Sequence, residues 1–300
     1  MLKKVRITAV CIIVSALGFS LPHPAAAKPE PAYDYPFQNP GLSVEKRVAD
    51  LVSRLTPDEK VSLMHQYQPA IPRLGIPAFK TGTEALHGVA WLGEATVFPQ
   101  AVGLAHTWDP ALIKQAGSAV GDEVRGFHHL HPAANGVNVW APVVDLLRDP
   151  RWGRNEEGYS EDPFLTGKIA SAYASGLKGD HPFYLKTVPT LKHFLGYNNE
   201  TDRGFSSSSI DPRNLHEYYI KPFQTVISEK AAYGLMPAYN SVNDKPAILS
   251  PLLKNTVKNK WAGKHFFIVS DAFDPSGIVN DHRYYDNHEE AHAHALKAGI

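Results

Sequence analysis

The chain has 300 residues, of which 43% are hydrophobic and 20% charged, and its 30 Lys and Arg residues balance its 30 Asp and Glu residues. This composition supplies a substantial core and excludes a disordered, collagen-like or coiled-coil chain, while the length allows one large domain or two ordinary ones. Without net positive charge the chain lacks the field that attracts phosphates, so a nucleic acid partner is not expected.

The first segment is predicted to be a secretory signal peptide over residues 1–27. A basic stretch at 3–6 precedes an uncharged, mostly apolar run at 7–21, and Ala25-Ala26-Ala27 is typical of a cleavage site. A membrane anchor is the alternative, but this run is short for a bilayer and two prolines follow closely. We therefore expect a secreted protein, extracellular or periplasmic, with no membrane attachment after cleavage. Its only cysteine, Cys11, is lost with the signal, so no disulfide stabilises the mature chain.

After residue 27 the patterns of strands and helices alternate. Residues 28–43 are predicted to form an extended lead-in, 44–55 have helical apolar spacing, and Thr56-Pro57-Asp58-Glu59 is a capping box that begins a second helix. Three further helices are expected to begin where Asp precedes Pro, after Asp109, Asp162 and Asp211. The predicted strands are 137–141, 187–194, 232–238 and 265–271, and the later helices are 110–127, 163–178, 212–230, 251–261 and 289–298. This alternation predicts an α/β fold with a parallel sheet.

Polar residues follow or end several predicted strands: Lys192-His193, Tyr239-Asn240 and Ser270-Asp271. A (β/α) barrel keeps its active site at the carboxyl ends of its strands. The chain has no G-x-G-x-x-G or Walker-type loop, so a nucleotide-binding sheet is not supported and no cofactor is expected.

Asp271 is the strongest single candidate for chemistry, because it follows the apolar run 266–269. A carboxylate at the end of a buried strand is costly unless it is paired or functional, although a helix cap or a salt bridge would also explain it. Lys192 and His193 end another buried run and could hold sugar hydroxyls or a carboxylate. Neighbouring side chains of an ordinary strand point to opposite faces, so both reach one pocket only with a local irregularity. The alternative is a solvent-exposed Lys beside a core His.

Three further segments of the sequence carry weaker signals. The loop 148–163 is dense in charged, aromatic, Gly and Pro residues and is predicted to be ordered at a strand end. Glu84 follows a possible strand at 78–80 and places a carboxylate near another strand end. The run His288-Glu289-Glu290-Ala291-His292 matches a zinc-binding H-E-x-x-H motif, but no third ligand follows at the expected spacing. An alanine-rich surface helix is the preferred interpretation, and no metal site is predicted.

Four segments, taken in order, resemble glycoside hydrolase family three. Arg151-Trp152-Gly153-Arg154 with Tyr159-Ser160-Glu161-Asp162-Pro163 is similar to the most specific signature of that family. Leu191-Lys192-His193-Phe194, Met236-Pro237-Ala238-Tyr239-Asn240 and Val269-Ser270-Asp271 match three more. The resemblance implies that residues 44–300 form the N-terminal (β/α)8, TIM-like barrel domain of the family, and it leaves open whether the barrel is complete at the C-terminus.

The resemblance also implies roles for individual residues. Asp271 stands where the family has its catalytic nucleophile. The residues implied to bind the sugar next to it are Glu84, Arg154, Lys192, His193, Tyr239 and, as a weaker match, Arg203. The implied reaction is acetal cleavage with retention of configuration, in which one carboxylate traps the anomeric carbon and a second carboxyl protonates the leaving oxygen.

The resemblance, together with the predicted signal peptide, predicts a secreted retaining exo-β-glycosidase that acts on terminal non-reducing β-linked sugars of plant-wall oligosaccharides. Glu84 resembles the β-xylosidase branch, where the glucosidase branch commonly has Asp, so a β-xylosidase is expected first. The alternatives are a β-glucosidase of the same family and a catalytically incomplete sugar-binding fragment. Family members usually carry the acid/base Glu in a following sandwich domain, so we expect a C-terminal domain absent from this chain to supply it. An oligosaccharide or small glycoside is the expected partner.

Overall fold

The computed structural model describes residues 32–263 and 265–300. The predicted signal peptide lies outside these residues, as does the beginning of the predicted lead-in. The described residues divide into two compact units, with the boundary between Arg54 and Leu55. In the first unit, a short 3-10 turn (Pro36–Gln38) precedes helix α1 (Val44–Arg54), and Arg47 Nε donates to the Phe37 carbonyl at 2.7 Å. The turn is thereby fastened to the helix.

The second unit is an α/β structure with a parallel sheet, as the sequence predicts. In the described residues this sheet has the strand order β3-β4-β6-β9, and each neighbouring pair is parallel. Thr83 adds a parallel bridge to Val139 beyond β3. The strands are β1 (Tyr67–Gln68), β2 (Phe79–Lys80), β3 (Asn138–Val139), β4 (Val188–Phe194), β5 (Ser207–Ser208), β6 (Gly234–Pro237), β7 (Ser241–Val242), β8 (Lys245–Pro246) and β9 (Phe267–Ile268).

Helices connect successive strands of the parallel sheet, and the core lies between these helices and the strands. The helices of this unit are α2 (Pro57–Ser62), α3 (Ala101–Ala105), α4 (Pro110–Leu130), α5 (Pro163–Lys178), α6 (Pro212–Asn214), α7 (Lys221–Ser228), α8 (Asp274–Asn280) and α9 (His288–Ala298). Val139, Leu191 and Leu235 of the sheet are fully buried against helix residues such as Ile113 and Ile169. This apolar layer holds the strands in register and fixes where their carboxyl ends lie.

Glycine allows the two longest of these helices to pack closely. A Cβ added at Gly117 of α4 would lie 2.3 Å from the Tyr173 carbonyl oxygen, and one at Gly176 of α5 would lie 2.1 Å from the Lys114 carbonyl oxygen. Real Cβ atoms do not approach backbone so closely, so the contact between α4 and α5 requires glycine at both positions.

The predicted helix starts agree with the structure, whereas two predicted helices differ from it. Asp109, Asp162 and Asp211 each accept backbone N–H groups of the helix that follows, and Thr56 forms the predicted capping box with Glu59. The single helix predicted over 212–230 is instead α6, a π-helical turn (Leu215–Tyr219) and α7. Pro222 has no backbone N–H to donate, which interrupts the regular hydrogen-bond ladder there.

The second difference is the helix predicted over 251–261, which is largely a π-helix (Leu253–Ala262). Helices α3 and α8 lie where the sequence reading placed no helix. Across 32–263 and 265–300, no helix is both long and apolar enough to cross a membrane.

Candidate active site

The carboxyl ends of β4, β6 and β9 bring Asp271, Tyr239 and His193 together. The Tyr239 hydroxyl donates to Asp271 Oδ1 at 2.9 Å, and the Ala272 N–H donates to the same oxygen at 2.7 Å. His193 Nε2 lies 3.6 Å from Asp271 Oδ2. Burial and the neighbouring Asp271 charge raise the pKa of Tyr239, so its hydroxyl keeps its proton and remains a donor. Asp271 Oδ1 therefore accepts hydrogen bonds from Tyr239 and the Ala272 N–H, and Oδ2 faces the His193 ring.

Lys192 and His193 both belong to this cluster although they are consecutive in β4. Lys192 is 3% exposed and its Nζ lies 3.3 Å from Glu84 Oε2, while His193 is 1% exposed. The pairing of β4 with β6 changes register between Leu191 and Phe194, which is the local irregularity that the sequence argument requires. Lys192 is thus a buried, paired cation rather than a solvent-exposed strand end.

Asp145 is a member of the cluster that the sequence reading missed. It follows β3, accepts the His193 backbone N–H on both carboxyl oxygens at 3.2 and 3.3 Å, and places Oδ2 2.8 Å from His193 Nδ1. Burial raises the pKa of Asp145 to about 8. Burial, with the Lys192, Arg154 and Arg203 cations, holds the pKa of His193 well below its ordinary value. The signal was available, because Asp145 follows the apolar Val143-Val144 just as Asp271 follows its own apolar run.

Arg154 stands at the rim of the cluster and is held by a carboxylate. Its Nε and Nη2 donate to the two oxygens of Glu157 at 2.6 and 2.8 Å, a bidentate pair that fixes the guanidinium plane. The guanidinium carbon lies 5.5 Å from the centre of the Tyr197 ring. The ordered loop predicted over 148–163 therefore delivers an oriented arginine to the strand-end edge.

Arg203 approaches the cluster from the loop after β4. Its Nη1 donates to the Tyr197 hydroxyl and to Glu200 Oε1, both at 2.9 Å, and its guanidinium carbon lies 4.2 Å from the centre of the Tyr239 ring. Arg203 thereby packs on the tyrosine that hydrogen-bonds Asp271, and Tyr197 and Glu200 are two further residues that the sequence reading did not select.

Asp274, in the first turn of α8, is a second carboxyl near Asp271. It is 2% exposed and its Oδ2 has no hydrogen-bond partner among the described residues. Burial, and then the charges of Asp271 and Asp281, raise the pKa of Asp274 well above its ordinary value. Burial therefore favours the protonated, uncharged form of Asp274 beside Asp271.

A cavity of about 440 Å³ is lined by Phe205, Ser207, Ser241, Asp244, Asp281, His282, Arg283 and Tyr284, and its lining includes none of Asp271, Tyr239, Lys192 and His193. His282 Nε2 lies 2.7 Å from the carbonyl oxygen of Tyr239, which connects the cavity wall to the cluster. Elsewhere, the rings of His288 and His292 lie 5.8 Å apart, and the described residues contain no group of three or more ligating side chains placed to hold a metal ion.

A parallel α/β unit that gathers a carboxylate, a buried Lys-His pair and fixed arginines at its strand ends has the architecture of a glycoside hydrolase domain. The model of the glycosyl hydrolase family 3 N terminal domain matches residues 48–300. The chain belongs to this family.

Relatives and solved structures of the family agree with this assignment. The chain is 38% identical to probable beta-D-xylosidase 7 of Arabidopsis thaliana over 89% of this chain and 37% of the relative. It is 36% identical to xylan 1,4-beta-xylosidase of Xylanibacter ruminicola over 87% of this chain and 31% of the relative. The chain thus spans about a third of the length of these relatives.

Among solved structures, the GH3 exo-beta-xylosidase XlnD, in complex with a xylobiose aziridine probe, matches with a TM-score of 0.82 and 29% identity over 88% of this chain and 36% of that one. Beta-glucosidase 3B of Thermotoga neapolitana, in complex with glucose, matches with a TM-score of 0.69 and 28% identity over 84% of this chain and 35% of that one.

Proposed function

We propose that this chain is the nucleophile-bearing barrel portion of a retaining exo-β-glycosidase that removes terminal β-linked sugars, with β-xylosides as its preferred substrates. The observation that carries the proposal is the setting of Asp271, whose carboxylate receives hydrogen bonds from Tyr239 and the Ala272 N–H at the edge where the buried Lys192-His193 pair also ends. Such a carboxylate is fixed in orientation, as a nucleophile in this chemistry must be.

In the proposed reaction Asp271 attacks the anomeric carbon while the bond to the leaving oxygen breaks. The leaving oxygen takes a proton from a second carboxyl, and a covalent ester links the sugar to Asp271. Water, deprotonated by that second group, then cleaves the ester, and the configuration is retained. Lys192, His193 and the two arginines are proposed to donate hydrogen bonds to the sugar hydroxyls and to hold the ring over Asp271.

The second carboxyl is proposed to come from a sandwich domain beyond this chain. The relatives are about three times as long as the part of them that the chain matches, which leaves room for such a domain. Residues 1–27 are proposed to direct the protein through a secretory pathway, with plant-wall oligosaccharides as its substrates.

The preference for xylosides is proposed to depend on Glu84. Its carboxylate is anchored by the buried Lys192, and it reaches one methylene further than an aspartate, into space that the C6 hydroxymethyl group of a hexose would need. In a protein that includes the acid/base domain, Glu84→Asp is expected to shift kcat/KM toward glucosides. An unchanged ratio of xyloside to glucoside kcat/KM would count against this role.

A 2-fluoro xylosyl fluoride tests the nucleophile in the chain as it stands, because fluoride leaves without needing an acid. We expect intact-protein and peptide mass spectrometry to find the sugar esterified to Asp271. Asp271→Asn should not be labelled, while Asp180→Asn, the same change at an exposed carboxylate, should be labelled like the unaltered chain. Labelling that persists in Asp271→Asn would remove the assignment. A folded chain that binds xylose but is never labelled would instead be the sugar-binding alternative.

A further inference from the structure

Asp145 is a largely buried carboxyl for which the proposed reaction has no role. Its side chain is 15% exposed and that of His193 is 2% exposed. The backbone N–H of His193 donates to both Asp145 carboxyl oxygens, and Asp145 Oδ2 lies 2.8 Å from His193 Nδ1. His193 contacts the Asp145 carboxyl through both its backbone N–H and its ring, so the carboxyl and the imidazole keep a fixed relative orientation.

The other ring nitrogen faces the proposed nucleophile. His193 Nε2 lies 3.6 Å from Asp271 Oδ2 in a nearly solvent-free position. A lone pair on Nε2 would repel that carboxylate, whereas a hydrogen would be attracted to it. A neutral imidazole carries its hydrogen on one nitrogen only, and the partner of Nδ1 decides which.

We propose that Asp145 is a positioning residue that shares one proton with His193 Nδ1 and so keeps a hydrogen on Nε2, directed at Asp271 and at a hydroxyl of the bound sugar. The sugar contact rests on the proposed function. The shared proton has two forms, a carboxylic acid beside a neutral ring or a carboxylate beside an imidazolium, and Nε2 carries a hydrogen in both.

The surrounding charges allow this pair to hold one shared proton. The titratable groups that face it are Arg154 and Glu157 from the loop after β3, Lys192 from β4, Tyr197 and Arg203 from the loop after β4, and Asp271 after β9. The nearby cations disfavour a second proton, which would make the pair positively charged. Burial and the Glu157 charge disfavour loss of the last proton, which would leave Asp145 as a carboxylate beside a neutral ring. Since burial raises the pKa of Asp145 to about 8, the proton is retained at neutral pH. At higher pH the Asp145 carboxylate accepts Nδ1–H, and Nε2 turns a lone pair to Asp271.

Two-bond proton–nitrogen correlation spectra of the chain labelled with [15N]histidine test the proposal, with His193 assigned by difference from His193→Gln. We expect a hydrogen on Nε2 at about pH 6 and its transfer to Nδ1 as the pH passes about 8. In Asp145→Asn the amide oxygen can accept the backbone N–H while the amide nitrogen donates to Nδ1, so Nε2–H should persist at every pH. Asp145→Leu, which offers no hydrogen bond, should lose the preference for Nε2–H. Asp180→Asn should behave like the unaltered chain.

An Nε2 that carries no hydrogen at about pH 6 in the unaltered chain would overturn the proposal, as would a pH-dependent loss of Nε2–H that survives in Asp145→Asn. If Asp145→Leu does not fold, Asp145→Asn still decides the question, because only the titrating carboxyl has been removed. The spectra require neither sugar nor turnover. A failure to label Asp271 would therefore reject the proposed function and leave this result standing.

Discussion

The buried pair of Asp145 and His193 should make stability depend on pH in a way that Asp145→Asn removes. In the unfolded chain the two groups titrate near 3.8 and 6.5. In the folded chain the pair keeps its shared proton until about pH 8, because burial raises the pKa of Asp145 to about 8. Between pH 6.5 and about 8 the folded pair therefore binds one proton that the unfolded pair does not bind.

The size of the effect follows from that one proton. The free energy of unfolding should fall by about 1.4 kcal/mol for each pH unit over about 1.5 units, or about 2 kcal/mol in total. Between pH 4 and 6.5 both states of the unaltered chain hold one proton, so this pair adds no slope there. In Asp145→Asn the pair adds no slope above pH 6.5. Below it the variant loses stability on acidification, because the pKa of His193 stays low and only the unfolded ring gains a proton.

Urea titrations followed by the fluorescence of the 5 tryptophans measure these slopes. The difference between the two proteins isolates the pair, since other groups whose pKa shifts on folding, such as Asp274, contribute equally to both. Asp180→Asn should follow the unaltered chain. Parallel curves for the unaltered chain and Asp145→Asn from pH 5 to 8.5, with equal m-values, would refute the reasoning.

Three further substitutions have defined outcomes. Tyr239→Phe removes the hydroxyl donor to Asp271 and should slow esterification by the 2-fluoro sugar about tenfold, in single-turnover mass spectrometry, without loss of fold. Glu84→Gln leaves the buried Lys192 cation without its carboxylate and should lower the free energy of unfolding by about 2 kcal/mol, measured in urea. Gly234→Ala would place a Cβ 2.3 Å from the Phe267 ring and should lower the free energy of unfolding by about 2 kcal/mol, measured in urea. An unchanged urea midpoint would show that β6 and β9 can move apart to accept the methyl group.

The sequence was most informative where a local rule determines structure. Asp109, Asp162 and Asp211 begin helices because a short carboxylate before proline satisfies free N–H groups, a rule that involves only neighbouring residues. The π-helical segments were harder to predict from the sequence. Their apolar spacing resembles that of an α-helix, so spacing alone does not distinguish the two, although Pro222, which lacks a backbone N–H, is a local sign of the interruption after the first of them.

The candidate site divides in the same way. Asp271, Lys192 and His193 attract attention singly because they are polar residues at the ends of apolar strands. Their partners are distant in sequence: Glu84 pairs with Lys192, 108 residues away, and Asp145 contacts His193, 48 residues away. Only the parallel order of the strands decides which ends are neighbours, so no local pattern could predict these pairs. Asp145 shows that the strand-end rule should be applied to every strand, including the two-residue β3.

The pairing of charges around Asp271 fits the nucleophile role proposed for it. Glu84 lies against Lys192, Glu157 against Arg154, and Glu200 against Arg203, so each of these cations is matched by a carboxylate of its own. Within residues 32–263 and 265–300, the ion-pair contact of Asp271 is with His193 alone, at 3.6 Å, and that ring carries no full charge of its own when it shares its proton with Asp145. In the proposed reaction these matched cations would donate hydrogen bonds to sugar hydroxyls while repelling an oxocarbenium-like centre far less than free cations would. In the proposed reaction the Asp271 carboxylate would face that centre from an orientation fixed by Tyr239 and the Ala272 N–H, which is electrostatic preorganisation of the kind that lowers such a barrier.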